Sequence, residues 1–240
     1  MTTAPPPDAS IDQAKSIEYW NNVEATPNGM LGGYEYVSRI DIQGSKNFLA
    51  KLRLKTASSP EIWKVADCGA GIGRITKLLL TTLNKGKVIV DIIEPVEKFT
   101  KEAIEGNNLK DEREDGRVGK IVNMGLEQWD PVKTTEERGE KYYIIWNQWC
   151  VGHLSDVQLV AYLMRCKNAV LEGGVIVVKE NITETKDDMY DETDSSVTRT
   201  DQKFKNLFRQ AGLRVVRTEV QKGLPTQLYQ VRSYALRAAV

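Results

Sequence analysis

The chain has 240 residues, 41% hydrophobic and 28% charged, enough to bury the core of one α/β domain with insertions and short for two full ones. Lys plus Arg and Asp plus Glu each total 33, a balance that argues against a dedicated nucleic-acid binder, whose footprint is a basic excess. A single histidine, His153, rules out a multi-histidine metal centre; no apolar run approaches a membrane span or a signal-peptide core; and Cys68, Cys150 and Cys166, without C-x-x-C spacing, predict reduced thiols of an intracellular protein.

Three consecutive prolines at 5–7 oppose regular structure, so residues 1–14 are expected as a disordered tail. From Asp12 to Phe48 the pattern is irregular: a short helical stretch with Ile17, Tyr19 and Trp20, then a glycine-rich loop anchored by Met30, Leu31 and Tyr34. This stretch is too short to fold alone and is expected to pack onto the strands and helices C-terminal to it, within one domain over 15–240. WKVADCGA predicts a first strand ending in glycines, and Ile72, Ile75, Leu79 and Leu83 then recur at helical spacing. KVIVDII (87–93) predicts a second strand and 96–109 a helix; the highly charged 111–117 reads as a surface loop. GKIVNMG supplies a third strand and YYIIWNQW (142–149) a fourth. Ser155 is the candidate N-cap of a helix with Leu159, Leu163, Cys166 and Val170 on its apolar face and Gly173 as its stop. GVIVVKEN (174–181) is the fifth strand. These runs hardly alternate in polarity, which predicts strands covered on both faces: a doubly wound, mostly parallel sheet. The segment after it shows no period, and its residues 180–201 carry eight carboxylates against Lys186 and Arg199. A helix with Phe204, Leu207, Phe208 and Ala211, closed by Gly212, leads to LRVVRTEV and QLYQVRSYAL, expected as an antiparallel closing pair at the sheet edge.

The first strand ends in Asp67-Cys68-Gly69-Ala70-Gly71-Ile72-Gly73-Arg74. Gly69, Gly71 and Gly73 let the backbone turn tightly and approach a ligand, with a helix N-terminus just behind. A dinucleotide fingerprint reads G-x-G-x-x-G, whereas D-x-G-x-G-x-G is similar to the S-adenosyl-L-methionine (AdoMet) loop of class I methyltransferases. Glu94, ending strand two, suits ribose hydroxyls in either case; the third glycine and the antiparallel ending favour AdoMet over an NAD(P)-dependent reductase. Ligands of such sheets bind outside the carboxyl ends of the strands. That rule gathers the glycine loop, Glu94, Gly125-Leu126-Glu127, Gln148-Trp149 and Glu180-Asn181 on one edge. The guanidinium of Arg74 matches the methionine carboxylate as a bidentate partner, and Leu126, Glu127 and Gln148 are expected to frame adenine and ribose. The competing structural readings are a glycine turn for packing, an exposed arginine at a helix start and a solvated Glu127.

MLGGY (30–34), DCGAGIGRITK (67–77), WNQWCVGHL (146–154), VVKEN (177–181) and DETDSSVTR (191–199) together resemble the protein α-N-terminal methyltransferases, over residues 15 to 237. The resemblance implies a class I AdoMet-methyltransferase (Rossmann-like) fold, with an N-terminal helical extension (15–60) covering the site and an acidic insertion after strand five. It implies transfer of methyl groups from AdoMet, leaving S-adenosyl-L-homocysteine, to the free α-amine of proteins beginning Xaa-Pro-Lys/Arg once the initiator methionine is removed. Ribosomal proteins are expected among the substrates, and the enzyme is expected as a cytoplasmic, also nuclear, monomer. Carried over by motif, Asp194 and His153 are the base candidates and Asn181 positions the first substrate residues. Trp149 and Trp20 wall the substrate proline and the cofactor, and Leu31 belongs to the covering loop. Asp191 partners the third substrate residue, while Ser196 and Tyr229 complete the peptide groove. Glu94-Pro95 departs from relatives with aspartate and a different following residue. A free α-amine titrates near 8, so roughly a tenth to a fifth is neutral at pH 7 and the enzyme must remove a proton. A carboxylate that binds the ammonium also raises its pKa; His153 is suited to relay the proton away. A methyltransferase acting on a small-molecule amine would share the cofactor half, and the acidic segment is the feature against it. A non-enzymatic binding module would leave the carboxyl-edge set unused.

Overall fold

The computed structural model describes residues 5–54, 56, 58–106, 108–137 and 139–239. The apolar runs form the middle of one sheet: β1 (Trp63–Cys68), β2 (Val88–Ile93), β3 (Val118–Val122), β4 (Tyr142–Gln148) and β5 (Val170–Thr183) lie parallel in the order β3-β2-β1-β4-β5. Beyond them β6 (Met189–Asp191) and β7 (Ser196–Thr200) form a hairpin, and β8 (Leu213–Val220) and β9 (Gln230–Ala238) close the edge, β9 running antiparallel to β5. The expected doubly wound sheet with an antiparallel ending is thus the observed one. Successive residues feed opposite cores, as a pleat requires. Ile145, Ile176 and Val178 point to one face, where Tyr162, Phe204 and Phe208 pack; Ile144, Trp146, Val175 and Val177 point to the other, against Phe48, Leu49 and Ile75.

The helices are α1 (Gln13–Asn22), α2 (Pro27–Met30), α3 (Ser38–Lys51), α4 (Arg74–Leu78), α5 (Glu97–Glu105), α6 (Lys110–Glu114), α7 (Pro131–Glu136), α8 (Asp156–Ala169) and α9 (Asp201–Gln210). Ser155 caps α8 as expected, in a reciprocal capping box with Gln158. The helix stops at Ala169 rather than at Gly173, because β5 has already begun at Val170. The helix expected from Ile72 breaks at Leu79 into a 3-10 stretch.

Four other expectations are corrected. Residues 5–14 are not a free tail: Pro7–Ser10 form a 3-10 turn, the Asp156 amide donates to Asp8 Oδ2 at 2.9 Å, and Asp12 caps α1 through the Ala14 and Lys15 amides. Residues 1–4 of that expected tail lie outside the described residues. The irregular region contains α3, whose inner face is Asp41, Ile42, Ser45, Phe48 and Leu49. Two polar residues in that face break the apolar period, while burial of Phe48 and Leu49 stabilises the docked helix by roughly 1.5–3 kcal/mol each. The 111–117 loop begins as α6, a turn of charged residues held by Leu109 and the buried Glu112. Finally, the acidic segment does have a strand period. β5 continues to Thr183, where β4 has already ended, and β7 takes its place alongside Ile182 and Thr183. Ser195, Val197 and Arg199 alternate inward, so two of the three buried positions are polar. Arg199 is buried because it donates to Asp156 Oδ1 (2.9 Å) and to the Val151 (3.2 Å) and Leu154 carbonyls.

Candidate active site

The carboxyl ends of β1, β2 and β4 and the loop after β3 open into a cleft of about 900 Å³, covered by α1 and Met30. Gly69 (φ 66°) and Gly71 (φ 54°) line it in the left-handed region. A Cβ on Gly69 would overlap Cys150, and one on Gly71 would lie 2.8 Å from Met30 Sδ, so the loop is glycine for conformation and clearance together. Gly73 differs. It starts α4 outside the cleft, in the left-handed region at φ 80° and where a Cβ would meet Leu109 at 2.7 Å, so the third glycine serves the turn and its packing rather than clearance in the cleft. Behind the loop the buried Asp67 accepts from Thr76 Oγ1 at 2.6 Å, and burial pushes its carboxyl up to about 6.

Glu94 lines the same cleft, with Oε2 accepting from the Gly71 amide and Oε1 from the Val96 amide, both at 2.8 Å. Burial pushes its carboxyl up to about 7, against the pull of those amides. Each oxygen retains a lone pair, which is what a vicinal diol requires. Gly125, Leu126 and Glu127 line the opposite wall. Arg165 of α8 fixes their backbone by donating to the Leu126, Glu127 and Trp129 carbonyls at 2.9, 3.1 and 3.0 Å. Gln148 also borders the cleft, but its amide is already committed: Nε2 donates to both oxygens of Asp41 (2.9 and 3.0 Å) and Oε1 accepts from Trp146 (3.2 Å). Arg74 reaches the cleft with its guanidinium 5.7 Å from the Trp149 ring centre and 2.9 Å from Asp41 Oδ2. Asp41 is invisible in the sequence pattern. No short-range spacing signals an aspartate whose partners come from α4, β4 and β5.

A second cavity, about 250 Å³, adjoins the first, and Trp20, Met30, Trp149 and His153 line both. Leu31, Asn181, Asp194, Ser196 and Tyr229 line this one, so five of the six expected peptide-groove residues, counting Trp149 with them, meet at it together with the base candidates. Asp191 is the exception: it is exposed, outside the lining, and accepts from the Thr193 amide at 2.8 Å. Two polar atoms here are buried without a hydrogen-bond partner, Asp194 Oδ1 and Trp149 Nε1. Trp149 itself sits at φ 53°, a conformation costing a non-glycine residue about 1 kcal/mol or more. Its amide donates to the Lys179 carbonyl at 3.0 Å, and the next two amides, Cys150 and Val151, donate to Glu180 Oε1 at 2.7 and 2.9 Å. Glu180 is buried, and burial pushes it up to about 7. Leu224 and Leu228 of the β8–β9 connection complete the apolar side, and no motif marks them.

His153 is clamped by α1. Trp20 Nε1 lies 3.2 Å from His153 Nε2, and Ser16 Oγ lies 2.9 Å from Nδ1. An indole can only donate, so Nε2 accepts and Nδ1 carries the proton, which it donates to Ser16. Burial lowers the pKa of this imidazole, with the charge of Asp194 opposing, so it is held neutral. The cleft accordingly offers a diol acceptor, a guanidinium and an apolar wall with Phe99 and Leu126, the donor set that fits AdoMet. The adjoining cavity offers an unpaired carboxylate oxygen, an indole and a neutral imidazole.

Comparison with known proteins identifies the family. A family model described as AdoMet dependent proline di-methyltransferase matches residues 8–237. The chain is 41% identical over 223 residues to alpha N-terminal protein methyltransferase 1 of Schizosaccharomyces pombe, covering 92% of this chain and 94% of that one. It is 38% identical over 237 residues to N-terminal Xaa-Pro-Lys N-methyltransferase 1-B of Xenopus laevis, covering 99% and 100%. Among solved structures, a SAM-dependent methyltransferase of Leishmania major superposes with a TM-score of 0.78 at 36% identity, over 93% of this chain and 82% of that one. The 1,6-didemethyltoxoflavin-N1-methyltransferase of Burkholderia thailandensis, solved with S-adenosylhomocysteine, shares the fold at 17% identity with a TM-score of 0.68, over 100% and 93%.

Proposed function

Because this chain belongs to the AdoMet dependent proline di-methyltransferase family, we propose that its smaller cavity receives the free α-amine of a protein beginning Xaa-Pro-Lys or Xaa-Pro-Arg. The protein is an AdoMet-dependent protein α-N-methyltransferase. The observation that carries the substrate reading is the unpartnered, buried Oδ1 of Asp194 on the cavity that adjoins the cofactor cleft. An unsatisfied buried acceptor of this kind calls for a donor, and an α-ammonium is a charged one.

Glu94 would hold the ribose diol, Arg74 the methionine carboxylate, and Gly69, Gly71 and Leu126 the body of AdoMet. Bound there, AdoMet supplies an electrophilic methyl carbon. The protein's task is to present a neutral amine to it with the lone pair aimed. Asp194 orients the ammonium, and Asn181 with Ser196 holds the first peptide units. Trp149, Trp20 and the covering Leu31 enclose the substrate proline, and Tyr229 borders the groove. Asp194 alone would strengthen the N–H bond it pairs with. His153, already neutral, takes the proton when its Nε2 is released from Trp20. Asp191, on the rim, attracts the basic third residue through solvent. Glu127 keeps no assigned contact. Ribosomal proteins with an exposed Xaa-Pro-Lys terminus are natural candidates, and the three free thiols support a reducing compartment, the cytoplasm or nucleus.

The test is mass spectrometry of peptides incubated with the protein and AdoMet. A peptide beginning Ser-Pro-Lys should gain methyl groups and its N-acetylated form none. Equal labelling of the acetylated peptide, or turnover of free small amines in preference to peptides, would overturn the reading.

A further inference from the structure

Asp41 and Lys179 are both fully buried, and neither lines either cavity. Their arrangement nevertheless bears on the cleft. Lys179 Nζ pairs with Asp41 Oδ1 and is enclosed by three more acceptors: the Asp41 carbonyl (3.0 Å), Ser45 Oγ (2.9 Å) and Gln221 Oε1 (3.0 Å). Arg74 takes the other oxygen, Oδ2, at 2.9 Å. Asp41 is the acid in ion-pair contact with Arg74 among the described residues, and it is divided between two cations. Asp67 on β1 lies nearby but is bonded to Thr76 rather than to the guanidinium.

One carboxylate between two cations leaves a unit of positive charge among the three groups in direct contact, with Asp67 opposing it only at longer range, and only Arg74 reaches the cleft. Buried charge without a contacting counter-ion is unfavourable, so the trio favours an anion arriving at Arg74 from the cleft side. We propose that Lys179 is a positioning residue for cofactor binding: by holding half of Asp41, it keeps Arg74 available to the carboxylate of AdoMet. Without Lys179 the carboxylate of Asp41 would belong wholly to Arg74, making a neutral pair that competes with the ligand. This inference rests on the AdoMet assignment of the cleft.

The experiment compares the Kd of S-adenosylhomocysteine with that of methylthioadenosine, which keeps the nucleoside and lacks the amino-acid end. Lys179→Gln should weaken S-adenosylhomocysteine about tenfold or more and methylthioadenosine less than about twofold, since only the former presents a carboxylate. Asp41→Asn combined with Lys179→Gln removes both charges and restores the lone Arg74, so S-adenosylhomocysteine should return to within about threefold of wild type. A double variant as weak as Lys179→Gln would overturn the proposal. So would a parallel loss of methylthioadenosine binding, the mark of a merely structural role. If Lys179→Gln shows no cooperative thermal transition, the double variant decides. It must keep the wild-type ratio of the two affinities, and a collapsed ratio overturns the proposal. Wild type that binds neither ligand would instead refute the cofactor assignment, and the proposal with it.

Discussion

Glu94 ties the glycine loop to the ligand it faces, because one carboxylate holds the Gly71 and Val96 amides and lines the cleft. Its raised pKa of about 7 makes cofactor affinity depend on pH. A diol needs an acceptor at each oxygen, so the ligand binds the ionised form and binding releases the proton. Affinity for S-adenosylhomocysteine should therefore fall as pH drops below 7, by about tenfold between pH 8 and pH 6, the ionised fraction at one unit below the pKa being about a tenth. Calorimetric titrations at the two pH values, in buffers of different ionisation enthalpy, would show both the slope and the proton. Glu94→Gln should flatten the slope. A slope that persists in the variant would assign the proton to another group, Glu180 being the next raised carboxyl. His153 is controlled differently: α1 supplies partners to both of its ring nitrogens, so its basicity depends on where that helix sits.

That dependence makes α1 the element to perturb. At its start the Asp12 amide donates to Ser195 Oγ at 2.7 Å, and Gln13 Nε2 donates to the His153 carbonyl at 2.8 Å. At its end Lys98 donates to the Asn21 and Val23 carbonyls. The helix thus bridges the β6–β7 hairpin and α5 across both cavities. Ser195→Ala deletes one hinge point and should cost about 1 kcal/mol of docking. Amide exchange over residues 13–22 should accelerate about fivefold, with a rise in peptide KM and a melting temperature lower by roughly 2–4 °C. Unchanged exchange in α1 would mean that Ser195 does not hold it. The same elements show what sequence reading reaches. The parallel strands and closing pair announce themselves as apolar runs, and the glycine loop as a spacing. Trp149 and Asn181 are placed at the ligand-binding edge by the strand-end rule, but their roles, and Asp194 altogether, are legible only through motif resemblance. By contrast α3 and the β6–β7 hairpin bury Asp41, Ser45, Ser195 and Arg199, which look like surface residues until their partners arrive. Lys179 lies 138 positions from Asp41, so neither the helix nor its charge network is written in any local period.

Across the whole molecule, the carboxyl ends of the parallel strands gather three buried acids, Asp67 raised to about 6 and Glu94 and Glu180 raised to about 7. In the unfolded chain these groups titrate at their ordinary values, 3.8 for aspartate and 4.5 for glutamate. Between those values and about 7 these three groups therefore bind more protons in the native state than in the unfolded state, and their contribution to stability falls as pH rises through that window, opposed below 6.5 by the one imidazole, His153, which burial lowers. A shift from 4.5 to about 7 corresponds to about 3 kcal/mol for one glutamate, and coupling between neighbours spreads the total unevenly. Asp41 works in the opposite direction and in another window: Lys179 and Arg74 hold it below the ordinary value despite its burial, so its contribution is lost only as pH falls below 3.8. The formal net charge is zero at pH 7, so overall self-repulsion cannot produce the same trend near neutrality. Scanning calorimetry of the ligand-free protein should give a melting temperature several degrees lower at pH 8 than at pH 5.5. S-adenosylhomocysteine at a concentration a hundredfold above its pH 8 Kd adds about 2.7 kcal/mol at pH 8, where Glu94 is ionised, and the same concentration adds less at pH 5.5, where the Kd is higher. The difference between the two pH values should therefore narrow with ligand. A ligand-free protein more stable at pH 8 than at pH 5.5 would show that the strand-end carboxyls ionise in the fold without penalty, and that the active-site edge is not where this enzyme stores its strain.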